Sequence, residues 1–226
     1  MRKKVEFILL LLLLAGLVAI SRNLGEYVSS GKVKLSKKTV VIDPGHGGAD
    51  PGKIGVNDAK EKEINLEIAK KVKKMLEDKG VKVIMTREED QMLSTDGEGS
   101  HKVQDMKERV RMINEAMPDM AVSIHQNSYS AGEVRGAQVF YYTHSTDGEK
   151  MAETMQKALL SLDKDNRRQA KADSTYYLLR RTEVPTIIVE CGFLSNYEEA
   201  EKLVTRKYQK EVAEAIVKGI ETCLAR

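Results

Sequence analysis

Three short apolar runs in this chain each stop abruptly at a titratable residue. Val40-Val41-Ile42 stops at Asp43, Met120-Ala121-Val122-Ser123-Ile124 at His125, and Thr186-Ile187-Ile188-Val189 at Glu190. Unbroken rather than alternating apolarity means burial on both faces, which a sheet reaches when helices cover both of its sides. These runs are therefore expected to be central strands of a parallel sheet. In such sheets the C-terminal strand ends line a common edge where ligands bind. His46, just beyond the first run, falls at that edge together with His125 and Glu190.

The segments between the runs carry helical periodicity. Strands are expected over 39–43, 81–86, 120–125, 137–142 and 186–190, and helices over 59–79, 102–116, 148–161 and 206–224. This alternation predicts a single α/β domain over 39–226, a mostly parallel twisted sheet flanked by helices. A chain of 226 residues is long enough for one well-buried core and short for two. In the second helix Val103, Met106, Val110, Ile113 and Met117 recur at three and four residues, which predicts one face packed on the sheet. The polar stretch from Arg87 to Ser100, with Asp96-Gly97 and Gly99, predicts a loop bordering a site.

Arg2, Lys3 and Lys4 precede an apolar run over 7–20. As a helix it would span about 21 Å at ~1.5 Å per residue, short of a hydrocarbon core of ~30 Å. With the small residues of Ala19-Ile20-Ser21, residues 1–21 are expected to be a cleaved signal peptide or, if retained, a membrane anchor. Residues 22–38, with Gly25, Ser29, Ser30 and Gly31, are expected to be a linker. The body is thus expected to be exported and extracytoplasmic, secreted or membrane-anchored. From Arg22 onward 34 Lys and Arg face 33 Asp and Glu, which leaves no electrostatic footprint for nucleic acid. Absence of Trp and scarcity of Phe also remove the stacking surface of a single-strand binder. Cys191 and Cys223 lie outside any Cys-x-x-Cys pair and are expected to be buried thiols or a single bridge.

Asp43-Pro44-Gly45-His46-Gly47-Gly48 carries the first run into a turn with a histidine at its apex; by itself that histidine reads as a solvent-exposed turn residue. The following Gly47-Gly48-Ala49-Asp50-Pro51-Gly52-Lys53-Ile54 approaches a phosphate-binding loop but fails its chemistry. Ile54 cannot ligate magnesium, Asp50 would repel phosphate, and the next helix begins too late. Glu61 is set apart from its acidic neighbours by helical phase. At ~100° per residue, Ile64, Ile68, Val72, Met75 and Leu76 lie within about 60° of it, whereas Glu63 lies roughly 200° away and Glu67 some 240°. A carboxylate on the apolar face needs a partner. An equal alternative is the capping box Asp58-Ala59-Lys60-Glu61, in which Glu61 would merely return a bond to the backbone of Asp58. Two histidines and carboxylates without a thiolate suit a hard-to-borderline divalent metal, zinc above all.

Together, Ile42-Asp43-Pro44-Gly45-His46-Gly47-Gly48, Glu61-Lys62-Glu63-Ile64-Asn65-Leu66, Ser123-Ile124-His125-Gln126-Asn127 and Val189-Glu190-Cys191-Gly192-Phe193-Leu194-Ser195-Asn196 resemble the zinc-dependent N-acetylmuramoyl-L-alanine amidases of bacterial cell-wall turnover. The resemblance covers 39–224. Met85-Thr86-Arg87 and Arg109 with Asn114 are secondary matches. It implies Zn2+ as cofactor, with His46, Glu61 and His125 as metal ligands and Glu190 as the catalytic carboxylate. It further implies peptidoglycan as substrate, cut at the amide between the lactyl group of N-acetylmuramic acid and L-alanine, with any protein activator unspecified. The small size, the membrane-entry segment and the lack of a wall-binding repeat most resemble the germination-specific branch found in endospore formers, which helps to make muramic δ-lactam in spore cortex. Gln126 and Cys191 depart from the residues common at those places. Arg87, Arg109, His101 and His144 read as solvated charges or turn residues.

Two competing functions use the same residues. An inactive wall-binding module would keep the fold but has no need of Glu190. A zinc peptidase of the stem peptide would share the metal chemistry and differ only in the groove.

Overall fold

Strand β1 (Thr39–Pro44) buries every residue after its first. Its side chains divide by parity, Val40 and Ile42 entering a large core cluster and Val41 a second, smaller one. The chain beyond it runs through α1 (Glu61–Asp78), β2 (Lys82–Met85), α2 (His101–Ala116), β3 (Met120–Asn127), β4 (Gln138–Tyr142), α3 (Thr146–Leu159), β5 (Lys171–Asp173), α4 (Tyr177–Arg181), β6 (Thr186–Phe193), α5 (Tyr197–Leu203) and α6 (Arg206–Leu224). This computed structural model describes residues 38–93 and 100–225, together with Leu13 and Gly16. The expected signal or anchor segment and the linker lie outside the described residues but for Leu13, Gly16 and Lys38. Among the described residues no helix is long and apolar enough to cross a membrane.

The six strands form one sheet in the order β2-β1-β3-β6-β4-β5. The first four are mutually parallel; β4 pairs antiparallel with β6, and β5 parallel with β4. Helices α1, α3 and α6 supply the large cluster on one side through residues such as Ile68, Met155 and Ile216. Helices α2 and α4 supply Ile113 and Leu178 to the cluster on the other side. Because β1 feeds β2 on one flank while β3 returns on the other, the strand order reverses beside β1. Such a reversal opens a crevice at the C-terminal strand ends.

The sheet-facing stripe of α2 departs from the sequence expectation. Val103 is 51% exposed and Met117, the left-handed residue ending the helix, 79% exposed. Ile113 is buried and Met106 and Val110 pack beside it, but the stripe continues toward the crevice through the buried polar pair Arg109 and Asp105. Buried charge is stable only when paired, and this end of the helix meets Asp43 rather than an apolar surface. Strand β5 and helices α4 and α5 were not expected. The first is a charged three-residue edge strand, and the helices, at five and seven residues, are too short to show a period. Cys191 and Cys223 are both free thiols, so the bridge alternative is not formed.

Candidate metal centre and active-site cleft

Strand register sets two of the site residues side by side, since His125 of β3 pairs with Glu190 of β6. The register shifts immediately afterward, between His125 and Asn127. The shift interrupts regular pairing, which resumes where Asn127 meets Phe193. On β1 the chain leaves the sheet at Gly45, where any Cβ would stand 2.1 Å from the His125 ring. Glycine at 45 therefore allows the turn to pass directly over that imidazole. His46 follows with φ 61°, a left-handed conformation that non-glycine residues rarely adopt. Reciprocal backbone bonds between Gly47 and Asp50, both 3.0 Å, hold the turn.

Glu61 is the first residue of α1 and only 1% exposed, whereas the Glu63 side chain is 58% exposed. The helical-phase reading is therefore correct, and the capping box is not formed. Asp58 has φ 62°, Lys60 occupies the cap position without a side-chain bond, and Glu61 turns into the crevice. There its Oε1 lies 2.9 Å from His125 Nδ1 and accepts from the Gln126 amide at 3.1 Å. Its Oε2 lies 3.2 Å from His46 Nε2 and accepts from the Lys53 amide at 2.8 Å. Burial works against charge on Glu61, but the imidazoles of His125 and His46 outweigh it and hold the carboxyl well below its usual range.

One donor atom each from His46, Glu61 and His125 can be chosen so that all three lie within 4.8 Å of one another. Two imidazole nitrogens and a carboxylate at that spacing fit a single tetrahedral zinc with one position open, since ligands ~2.0–2.1 Å from a common ion stand a little over 3 Å apart. Asp50 completes the arrangement. Its Oδ2 lies 2.8 Å from His46 Nδ1, which leaves Nε2 of the ring to face the other donors.

Glu190 is 6% exposed, and its Oε2 has no hydrogen-bond partner among the described residues. Burial pushes its carboxyl up to about 7; the His125 imidazole opposes this and the Glu61 charge adds to it. Glu190 lines a cleft of about 280 Å³ together with His46, Glu61 and His125, and Tyr176 and Ser128 form parts of its wall.

Arg87 and Arg109 are not solvated. Each is 1% exposed, and together they hold the histidine-bearing turn by its carbonyls. Arg87 donates to Pro44 and Gly45 oxygens at 3.0 Å each, and Arg109 to Pro44 at 2.9 Å and His46 at 2.7 Å. Arg109 also meets Asp43 Oδ1 at 2.5 Å and Asp105 Oδ2 at 2.7 Å. Burial raises the Asp43 carboxyl, but Arg109 and the hydroxyls of Ser123 and Thr86 more than offset this and lower it to about 2. His101 and His144 are exposed, as expected. Residues 94–99 of the expected site-bordering loop lie outside the described residues, but Gln91 and Met92 pack against Gly48. Two contributors carried short-range signals that sequence reasoning passed over. Asp50 stands four residues after His46 in a turn, and Asn65, one helical turn after Glu61, donates to its Oε1 at 3.3 Å.

The crevice of this α/β sheet gathers a His-Glu-His group able to hold a metal ion beside a buried carboxylate, an arrangement suited to a hydrolase. Residues 40–222 match the N-acetylmuramoyl-L-alanine amidase family, and the chain belongs to it. It is similar to the germination-specific N-acetylmuramoyl-L-alanine amidase of Bacillus subtilis, 40% identical over 82% of this chain and 79% of that one. Among solved structures it resembles the CwlD amidase from Clostridioides difficile in complex with the GerS lipoprotein, with a TM-score of 0.81 and 35% identity over 84% of this chain and 99% of that one. A crystal structure of an N-acetylmuramoyl-L-alanine amidase from the same organism matches with a TM-score of 0.74 and 33% identity, covering 84% of this chain and 97% of that one.

Proposed function

We propose that this amidase is a zinc hydrolase in which His46, Glu61 and His125 hold the metal and Glu190 moves the proton. The observation that carries the assignment is a buried carboxylate, Glu190, with one oxygen unpartnered among the described residues, lining a cleft together with three metal-competent side chains. Zinc held there would supply a Lewis acid and bring the pKa of water at its open position to about 7. Glu190 takes a proton from the attacking water and returns it to the departing L-alanine amine, so that one amide and one water give a lactyl carboxylate and a free amine. Asp50 fixes the ring orientation of His46. Arg87 and Arg109 keep the turn in place while charge shifts in front of it.

The substrate is peptidoglycan, and the relation to a germination-specific amidase supports work in spore cortex, on the way to muramic δ-lactam. The basic and apolar N-terminal segment supports export, with the body held at or released from the outer face of the membrane. A relative solved in complex with a lipoprotein supports a protein partner here as well. Mass spectrometry of peptidoglycan digested by the full-length chain tests the bond assignment. Free lactyl ends with intact L-alanine amines are expected, and a chelator should abolish their formation until zinc is restored. Cleavage farther along the stem would make the protein a peptidase; no cleavage would make it a binding module.

A further inference from the structure

Three residues with cationic side chains line the cleft, Lys53, Lys102 and Arg109. Two of them are engaged. Arg109 is committed to Asp43, Asp105 and two carbonyls, and Lys102 Nζ lies 3.3 Å from Asp50 Oδ2. Lys53 makes no side-chain hydrogen bond or ion pair among the described residues, and it lines the same cleft as Glu190. Its position is nonetheless fixed. The Lys53 amide donates to Glu61 Oε2 at 2.8 Å, and its carbonyl accepts from the Glu61 amide at 3.0 Å. Gly52 before it has φ 70°, and a Cβ there would stand 2.5 Å from Glu61 Oε2. The backbone is thus pressed against the metal-competent carboxylate, so this lysine is rooted beside it and left without a side-chain partner among the described residues.

We infer that Lys53 is a specificity-determining residue that binds the free α-carboxylate of the second residue of the stem peptide; the inference rests on the hydrolase reading above. In peptidoglycan that residue is a D-glutamate linked through its side chain, which leaves the α-carboxylate pendant. Counted along an extended backbone at ~3.3–3.6 Å per residue, this carboxylate lies about 7 Å from the scissile carbonyl carbon. A lysine stem anchored beside Glu61 covers such a distance. The cleft holds carboxylates at Glu61, Asp50 and Glu190, so an incoming anion needs a local cation to offset their repulsion, and Lys53 is the one not already paired among the described residues.

The test uses two sets of soluble glycan strands, identical except that the D-glutamate α-carboxylate is free in one and a primary amide in the other. Full-length parent and Lys53→Gln proteins are compared on both. The parent should favour the free acid by about five- to tenfold in kcat/KM, chiefly through KM, and Lys53→Gln should remove that preference, bringing the ratio of the two substrates to about one. Raising salt should narrow the preference of the parent and leave the variant unchanged. Equal losses on both substrates would overturn the inference and make Lys53 a partner of Glu190. No parental preference would overturn it too, leaving the hydrolase reading intact. Cleavage of neither substrate by the parent would remove that reading and the role of Lys53 with it.

Discussion

Glu190→Gln is expected to lower amide hydrolysis by about 10²–10⁴-fold while leaving bound zinc in place. Glutamine keeps the size and one hydrogen-bonding oxygen of the carboxylate but cannot accept a proton near neutral pH. The side chain belongs to the cleft and not to the donor trio, so a metal held by that trio would lose no ligand. Rates on purified peptidoglycan, read beside elemental analysis of the same preparation, check both halves. Parental activity would remove Glu190 as the base, and joint loss of zinc and activity would recast it as a ligand. The pH dependence has a definite sign. A base works only when ionised, so kcat/KM must fall as pH drops through the Glu190 pKa. Burial raises that pKa from 4.5 to about 7 without metal, and a nearby dication draws it back down, so the acid limb should lie between those values. In the metal-free protein the same shift makes the folded state bind this proton more tightly than the unfolded state. Stability should therefore decline as pH rises from about 4.5 to about 7, and Glu190→Gln should flatten that decline.

Zinc affinity should separate two neighbouring glutamates. Glu61→Gln is expected to weaken zinc binding by at least 100-fold, because it takes charge from the carboxylate that bridges His46 and His125. Glu63→Gln, two residues along on the exposed face of α1, should leave affinity within about twofold of the parent. Competition titration against a chromophoric chelator measures both. Equal affinities would leave Glu61 a structural partner of the two imidazoles. Equal losses would show that the damage lies in the helix and not in the metal site.

The contrast between Glu61 and Arg109 shows what the sequence could and could not reveal. The burial of Glu61 was legible from its own helix, whose phase set it among Ile64, Ile68 and Val72, although the capping box was an equal reading and its partners lie on other elements. His46, His125 and Glu190 were legible because each ends or follows an apolar run whose burial is written in consecutive residues. Arg109 and Arg87 looked solvated because their partners lie far away along the chain. Asp43 and the Pro44 carbonyl are about 65 residues before Arg109, and no local pattern records such a bond. A signal existed in retrospect: Asp105, Arg109 and Ile113 stand at successive four-residue steps, one stripe shared by a charge pair and a core residue. Val103 and Met117 satisfied the same spacing and still face solvent, since a helix near a crevice packs only part of its length on the sheet. Asn65 was hidden differently. Its amide contacts Glu61 one helical turn away, but also Gly45 and Gln126, which only the fold brings to it.

X-ray absorption at the zinc edge of the loaded, full-length protein tests the central claim most directly. The account predicts one zinc per chain with a first shell of nitrogen and oxygen alone at about 2.0–2.1 Å, including two imidazoles, and the loss of that bound zinc in Glu61→Gln. A sulfur shell near ~2.3 Å, an imidazole count other than two, or an unchanged spectrum in Glu61→Gln would contradict it.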